Sequence, residues 1–112
     1  MKRVECIIRP MKLDEVKIAL CEIGVTGMSV SDVRGCGRSG GHRETFRGSD
    51  YLVDLPHKVK IEMILRDEDV DEVIETVLAH ARTGEPGDGK IFVMPMEEAI
   101  RIRTGEGGDE VL

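Results

Sequence analysis

The chain contains few aromatic residues and no excess of positive charge. Its 112 residues include no tryptophan, one tyrosine and two phenylalanines, and the formal net charge is −6. Single-stranded RNA is commonly bound by aromatic rings that stack on its bases, and nucleic acids in general attract basic surfaces. We therefore expect no nucleic-acid partner, although a local basic pocket is compatible with this composition.

Long apolar segments are also lacking. No stretch approaches the roughly 18 to 20 apolar residues that span a bilayer. The first residues alternate like a strand where a signal peptide would have an apolar region. We expect a cytoplasmic protein without membrane insertion.

Cysteines are few and scattered. Cys6, Cys21 and Cys36 are odd in number, and they lack the spacing of a zinc site. We expect small, reduced, packed thiols, with Cys36 beside a glycine-rich segment as the exception.

An internal repeat organises the chain. A shift of 57 positions aligns residues 5–9 with 62–66 and residues 13–16 with 70–73. In each copy an apolar extended run precedes an amphipathic helix, and a further strand follows, at about 28–33 and 91–94. Two such units predict a single α+β domain over residues 1–112. Its fold would be ferredoxin-like, a duplicated βαβ with a four-stranded antiparallel sheet and two helices on one face.

The helices follow from apolar residues spaced three and four apart. Asp67 is the predicted cap of the second helix, and Gly24 is the glycine that ends the first. The stripes are Leu13, Val16, Leu20 and Ile23 in the first helix, and Val70, Val73, Ile74, Val77 and Ala81 in the second.

The second face of the sheet needs a cover. Residues 6–8 and 91–94 are apolar at consecutive positions, which indicates burial on both faces of the sheet. Because a domain of this size has a modest core, we expect self-association to cover that face, with a contribution from the C-terminal segment as an alternative.

The segment between the two copies is long, polar and rich in glycine. At residues 35–56 it exceeds an ordinary hairpin turn, and its large apolar or aromatic anchors near the tip are Phe46 and Tyr51. Loops of this kind are commonly functional, so we interpret residues 37–55 as a loop that contacts a partner. A solvated insertion is the alternative.

The stretch R-T-G-E-P-G-D-G-K at 82–90 places three glycines and flanking cations between a helix and a strand. Glycines allow backbone N–H groups to approach an anion and allow positive φ, while Arg82 and Lys90 supply charge. Arg101 and Arg103 stand two apart in a run that we interpret as extended, so that both face one side. We interpret this set as a nucleotide phosphate site.

A small nucleotide-hydrolysing enzyme is the alternative of another class. The chain lacks a Walker Lys-Ser/Thr pair and a clear carboxylate set for magnesium. Its histidines, His42, His57 and His80, have no obvious nucleophile beside them. We therefore interpret the protein as a binding protein and not as an enzyme, with no catalytic residues.

Four motifs together resemble the PII signal-transduction family of nitrogen regulatory proteins. They are G-C-G-R at 35–38, R-G-S-D-Y at 47–51, A-R-T-G followed by G-D-G-K-I-F-V between 81 and 93, and I-R-I-R-T-G at 100–105. The resemblance covers essentially the whole chain. It implies a homotrimer of ferredoxin-like subunits whose sheets line a central barrel, with ATP or ADP in the clefts between subunits.

The resemblance also implies a set of site residues. The positions assigned to the nucleotide are Ser29, Gly35, Gly37, Arg38, Ile64, Arg82, Thr83, Gly84, Gly87, Asp88, Gly89, Lys90, Arg101 and Arg103. Those assigned to the effector 2-oxoglutarate, which the family binds together with Mg-ATP, are Ser39, Gly41, Lys58 and Gly87.

The chain departs from the family pattern at Ser39, at Gly40, where a lysine is common, and in the order Leu55-Pro56-His57 before Lys58. Ser39 stands where members that sense 2-oxoglutarate carry a glutamine whose carbonyl helps to bind magnesium, and serine is a shorter and weaker ligand. A sensor of adenylate charge or of another small anion is therefore a further alternative.

The long loop carries the remaining implications of the resemblance. Tyr51 matches a tyrosine that is uridylylated or adenylylated in some members, and Ser49 matches a serine that is phosphorylated in others. The family uses this loop to regulate ammonium transporters and enzymes of nitrogen metabolism. Which of these targets applies here is left open.

Overall fold

Two βαβ units follow one another along the chain, as the repeat predicts. The computed structural model describes residues 1–37, 43–46, 49–52 and 55–112, and it describes side chains for 1–37 and 55–112. The elements are β1 (Lys2–Ile8), α1 (Leu13–Glu22), β2 (Ser29–Arg34), β3 (Arg43–Phe46), β4 (Ser49–Leu52), β5 (His57–Leu65), α2 (Val70–Ala81) and β6 (Gly89–Pro95).

Four of the strands form one antiparallel sheet in the order β2-β5-β1-β6. In the central pair Glu5 lies directly opposite Glu62, its own equivalent in the repeat. The two halves are thus related by an approximate twofold axis through this pair. The ferredoxin-like α+β prediction is confirmed.

The core lies between this sheet and the two helices. Alternate residues of β1 and β5 are buried beneath one face of each helix, as their period-two pattern requires. The buried cluster consists of Val4, Cys6, Ile8, Val16, Leu20, Val25, Val59, Ile61, Met63, Leu65, Val70, Val73, Val77 and Ala81. Both predicted helical stripes therefore face the core.

The helix ends confirm one prediction and correct another. Gly24 ends α1 with φ of 96°, and its N–H donates to the carbonyl of Cys21 at 3.0 Å. Asp67 does not cap α2, because residues Asp67–Asp69 form a turn of 3-10 helix that precedes it. The Asp67 carboxylate instead accepts from the α-amino group of Met1 at 2.7 Å, which lowers the pKa of Asp67.

The cysteines are free, and one expectation about them is wrong. Cys6 is buried in the core, where desolvation raises the pKa of its thiol to about 11. Cys36 is exposed, as expected for the cysteine that was named as the exception to packed thiols. Cys21 is exposed as well, because it lies on the outward face of α1, next to the inward-facing Leu20.

The described residues leave the second face of the sheet uncovered. Phe92 on β6 is 45% exposed there. Beside it, Arg3 binds Glu5 at 2.6 Å and Glu62 at 3.4 Å. A face that combines an exposed aromatic ring with an internally paired charge network suits an interface better than bulk solvent.

The long connection contains regular structure. Strands β3 and β4 pair antiparallel with each other in a separate two-stranded sheet, with Glu44 opposite Tyr51. We predicted a polar loop outside the core, and these strands do lie outside the main sheet. Among the described residues, no helix has the length and apolar character that crossing a bilayer requires.

Candidate functional site

The glycine turn, residues 82–90, joins the end of α2 to the start of β6. Gly84, Gly87 and Gly89 adopt φ of 91°, 101° and 103°, which side chains disfavour. At Gly89 a Cβ atom would lie 1.6 Å from the backbone oxygen of Ile7 on the adjacent strand. The turn therefore needs its glycines for positive φ, as the sequence predicted, and Gly89 also for close approach to β1, which the sequence did not predict.

Asp88 organises the interior of the turn. Its Oδ2 accepts from the backbone N–H groups of Thr83 and Gly84, each at 2.9 Å. Its Oδ1 accepts from the Thr83 hydroxyl at 2.5 Å and from Nε of Arg9 at 2.9 Å. These hydrogen bonds stabilise the ionised carboxylate and hold the pKa of Asp88 well below its usual range. The Thr83 hydroxyl has the largest effect, and Arg9 has the next largest.

Two cations from neighbouring strands hold the other side of the turn. Nη2 of Arg9, just beyond β1, donates to the carbonyl of Pro86 at 2.7 Å. Nζ of Lys58, on β5, donates to the carbonyl of Gly87 at 2.6 Å. The turn is thus fixed to the sheet through hydrogen bonds to its carbonyl groups.

The amides of Gly87 and Asp88 are the turn's available donors. Neither donates to an acceptor within residues 1–37 or 55–112. By contrast, the amides of Thr83 and Gly84 are taken by the Asp88 carboxylate. An anion at this turn would therefore meet the N–H groups of its second half.

A cavity of about 750 Å³ opens beside this second half, between the turn and the end of the sheet. Its size lies within the range typical of small-molecule sites. Four cations line it, Arg34, Lys58, Lys60 and Lys90, together with three carboxylates, Glu5, Glu85 and Asp88, so its formal charge is slightly positive in an acidic protein. Such an arrangement can bind a phosphate chain or a carboxylate. Within the described residues, no group of three histidine, cysteine or acidic side chains converges as a metal site.

Comparisons with known proteins match the sequence to a protein family. The family model described as nitrogen regulatory protein P-II matches residues 1–106. The chain belongs to the P-II family. Relatives named nitrogen regulatory protein P-II include those of Rhodobacter capsulatus, 58% identical, and Microchaete diplosiphon, 55% identical, each over 100% of both chains. The Azospirillum brasilense relative is 54% identical over 99% of this chain and all of its own. The relatives are thus named as regulatory proteins, and the resemblance found in the sequence is confirmed.

Most of the described site residues that the P-II resemblance implies fall into two separate patches of the single chain. The first, called here the turn patch, surrounds the 750 Å³ cavity. It contains Gly35, Gly37, Lys58, Gly87, Asp88, Gly89 and Lys90. Arg82 lies on the helix side of the turn, in a groove of about 500 Å³ between α2 and β6.

The second, called here the distal patch, lines a cavity of about 720 Å³. Ser29, Ile64 and Arg101 contribute to it. Ile64 lies six positions after Lys58 on β5, which corresponds to about 20 Å along the strand. The two patches therefore lie at opposite ends of the sheet, and one chain does not bring Arg101 to Lys90.

The C-terminal arginines correct a prediction. Ile100 pairs with Gly107 in an isolated bridge, and residues 102–104 form a turn instead of an extended run. The turn closes at Gly105, which has φ of 74° and donates to the carbonyl of Arg101 at 2.7 Å. Arg101 and Arg103 thus do not share the face of a strand.

Several implied residues lie outside the described part of the chain. Arg38, Ser39 and Gly41 belong to residues 38–42, outside the described ranges. Ser49 and Tyr51 lie on β4, for which the backbone pairing is described and the side chains are not.

Sequence reasoning missed two side chains. Lys60 lines the turn patch, and Arg9 holds Asp88 from 79 positions away. Lys60 had a detectable signal, since it stands two residues after Lys58 on the same strand and must share its face. Arg9 had only its position at the end of the first aligned segment of the repeat, residues 5–9, because its partner depends on the pairing of β1 with β6.

Proposed function

We propose that this P-II protein is a regulatory binding protein that takes ATP or ADP at the glycine turn and passes the signal on through its long loop. The observation that carries the proposal is the turn patch. There the Gly87 and Asp88 amides lie without acceptors in the described residues, beside a cavity lined by Lys58 and Lys90. Backbone donors with lysine charge suit a polyphosphate, whose oxygens accept several hydrogen bonds at once.

A site shared between subunits accounts for the two patches. The distal patch supplies an apolar side chain, Ile64, and a cation, Arg101, but it lies about 20 Å from the turn within one chain, too far for one nucleotide to span both. In a closed ring the distal patch of one copy can face the turn patch of the next. We therefore propose a homotrimer with the nucleotide in each cleft, as the P-II resemblance implies.

The proposed effector is 2-oxoglutarate, bound with Mg-ATP near Lys58. Nζ of Lys58 already donates to the carbonyl of Gly87, so a carboxylate that binds this ammonium group would share it with a bond that fixes the turn. Effector and nucleotide would thereby influence each other, and through residues 35–37 they would influence the loop. The loop would act on a transporter or an enzyme of nitrogen metabolism. Uridylylation, adenylylation or phosphorylation at Tyr51 or Ser49 stays a proposal of the same kind.

Calorimetric titration tests the function directly. The purified protein is titrated with Mg-ATP and with ADP, and then with 2-oxoglutarate in the presence and absence of Mg-ATP. Binding of 2-oxoglutarate only with Mg-ATP supports a sensor of carbon and nitrogen balance. Binding of ATP without any response to 2-oxoglutarate favours the sensor of adenylate charge or of another anion, as Ser39 suggests. Fast multiple turnover of ATP would favour the enzyme instead, and absence of nucleotide binding would contradict the proposal.

Subunit mixing tests the shared site. The Lys90→Ala variant damages the turn patch, and the double variant Arg101→Ala, Arg103→Ala damages the C-terminal contribution. Each alone should bind ATP poorly while remaining folded. After the two are unfolded together and refolded, about a quarter of the clefts should combine two intact patches and regain affinity. Unchanged affinity in the arginine variant, or no recovery after mixing, would contradict the shared site.

A further inference from the structure

Arg9 makes an unusual set of contacts for a residue that ends a strand. Its guanidinium lies across the glycine turn, with Nε bonded to Asp88 at 2.9 Å and Nη2 bonded to the Pro86 carbonyl at 2.7 Å and the Glu85 carbonyl at 3.5 Å. A Cβ atom at Gly87 would lie only 3.2 Å from Nη2, so the guanidinium rests directly on the backbone there. The planar fork of arginine suits several acceptors at fixed angles, whereas lysine carries a single point of charge.

Asp88 carries this constraint to the rest of the turn. Arg9 and the Thr83 hydroxyl both donate to Oδ1, while the amides of Thr83 and Gly84 donate to Oδ2. The carboxylate therefore has four donors and is directed into the turn. Arg9 fixes the carboxylate, and the carboxylate fixes the first half of the turn.

We propose that Arg9 is a positioning residue, which prepares the turn for phosphate by holding Asp88 and the Pro86 carbonyl in place. The inference rests on the proposed nucleotide function. An ordered turn presents the Gly87 and Asp88 amides without a loss of conformational entropy at the moment of binding, and this raises affinity. Arg9 lies outside the buried core, so its removal leaves the core packing intact.

The test compares three ligands on the assembled full-length protein. Inorganic tripolyphosphate probes the turn, adenosine probes the remainder of the site, and ATP probes both. For Arg9→Gln we expect about tenfold weaker binding of ATP and of tripolyphosphate, a loss that corresponds to about 1.4 kcal/mol. Adenosine binding should be unchanged. The control Lys17→Gln removes one positive charge from the exposed face of α1 and should bind all three ligands as the unmodified protein does.

Two further variants separate positioning from direct contact and from charge. Asp88→Asn should lose affinity to a similar extent, and the double variant Arg9→Gln, Asp88→Asn should lose little more, because the two residues act through one network. Arg9→Lys keeps the charge but loses the fork, and we expect an intermediate affinity. Amide hydrogen exchange at Thr83 and Gly84 should be faster in Arg9→Gln, a signature that a distant structural change would not produce.

Several outcomes of these experiments would contradict the positioning role of Arg9. Unchanged tripolyphosphate affinity in Arg9→Gln, full affinity in Arg9→Lys, or fully additive losses in the double variant would overturn the positioning role. Loss of adenosine binding in parallel with ATP would indicate general damage to the fold and would also overturn it. If the unmodified protein binds neither ATP nor tripolyphosphate, the proposed function itself fails and the inference fails with it.

Discussion

At the scale of single residues, Gly89 has a backbone conformation and a neighbour that no other residue type accommodates. Its φ of 103° is disfavoured for any side chain, and the Ile7 oxygen occupies the place of a Cβ atom at 1.6 Å. Gly84 has a similar φ of 91° but open space around it. The two positions therefore separate backbone strain from steric collision.

A series of alanine substitutions measures the two effects. Gly84→Ala should lower the free energy of unfolding by about 1–2 kcal/mol through strain alone. Gly89→Ala should lower it by more than about 3 kcal/mol or prevent folding, since strain and collision add. Gly27, which has ordinary φ and open space, is the control and should change by less than about 0.5 kcal/mol. The measurement is urea unfolding, and equal effects at Gly84 and Gly89 would contradict the collision.

Asp88 makes the stability of the turn depend on pH. Its pKa in the folded protein is lower than in the unfolded chain, because the Thr83 hydroxyl and Arg9 donate to the ionised form. The ionised carboxylate therefore stabilises the fold above the unfolded-state pKa of about 4. As the pH falls below that value the contribution is lost.

Asp88→Asn tests this dependence. We expect the variant to be less stable than the unmodified protein at about pH 7, and the difference to shrink at about pH 3, where the advantage of the carboxylate has diminished. Urea unfolding at both pH values gives the two differences. If the difference is the same at both, ionisation of Asp88 does not contribute to stability.

At the scale of elements, α1 shows how the helices are held. Leu20 is completely buried against the sheet and α2, whereas Ile18, two positions earlier, is 56% exposed. The helix lacks a side-chain N-cap, so packing of its inner face is the main source of its stability. His80 of α2 adds a contact to Glu15 of α1 at 3.0 Å on the outer surface.

The two apolar residues of α1 form a matched pair of test positions. Leu20→Ala should cost about 2–5 kcal/mol of unfolding free energy, because it removes buried methyl groups and leaves a cavity. Ile18→Ala should change stability by less than about 0.5 kcal/mol. Thermal or urea unfolding measures both, and comparable losses would mean that the outer face of α1 is covered in the assembled protein.

At the scale of the whole molecule, the face of the sheet that the described residues leave uncovered is the feature that indicates association with other subunits. Phe92 stands there opposite Glu5, near the pairs formed by Arg3. The proposed trimer would bury this face. It would also bring the distal patch of one subunit to the turn patch of the next.

Phe92→Lys tests whether this face is covered in the assembled protein, and it should have little effect on the stability of the single chain. In a free subunit the new ammonium group can pair with Glu5 on the neighbouring strand. Between subunits the same positive charge would be buried, which is unfavourable. We expect a shift from trimer to monomer in sedimentation velocity. The control Met11→Lys changes an apolar residue that is 77% exposed on the turn before α1, and it should leave the assembly intact. An unchanged mass in Phe92→Lys would place the interface elsewhere.

Much of the fold and part of the site could be predicted from sequence, and particular residues show why. The repeat, both helical stripes and Gly24 are local patterns with periods fixed by backbone geometry, and they are confirmed. The predicted cap at Asp67 and the predicted extended run at 101–103 were wrong, because a nearby ammonium group and a glycine turn offered better hydrogen bonds.

By itself the sequence determined the ferredoxin-like domain, the family and the glycine turn, since periodicity, positive-φ glycines and adjacent motifs are properties of short segments. Only the tertiary structure decided that Arg9 holds Asp88 and that Lys90 and Arg101 lie at opposite ends of the sheet. The physical reason is strand register. The antiparallel pairing of β1 with β5 and β6 fixes which ends of distant segments meet, and no local pattern contains that information.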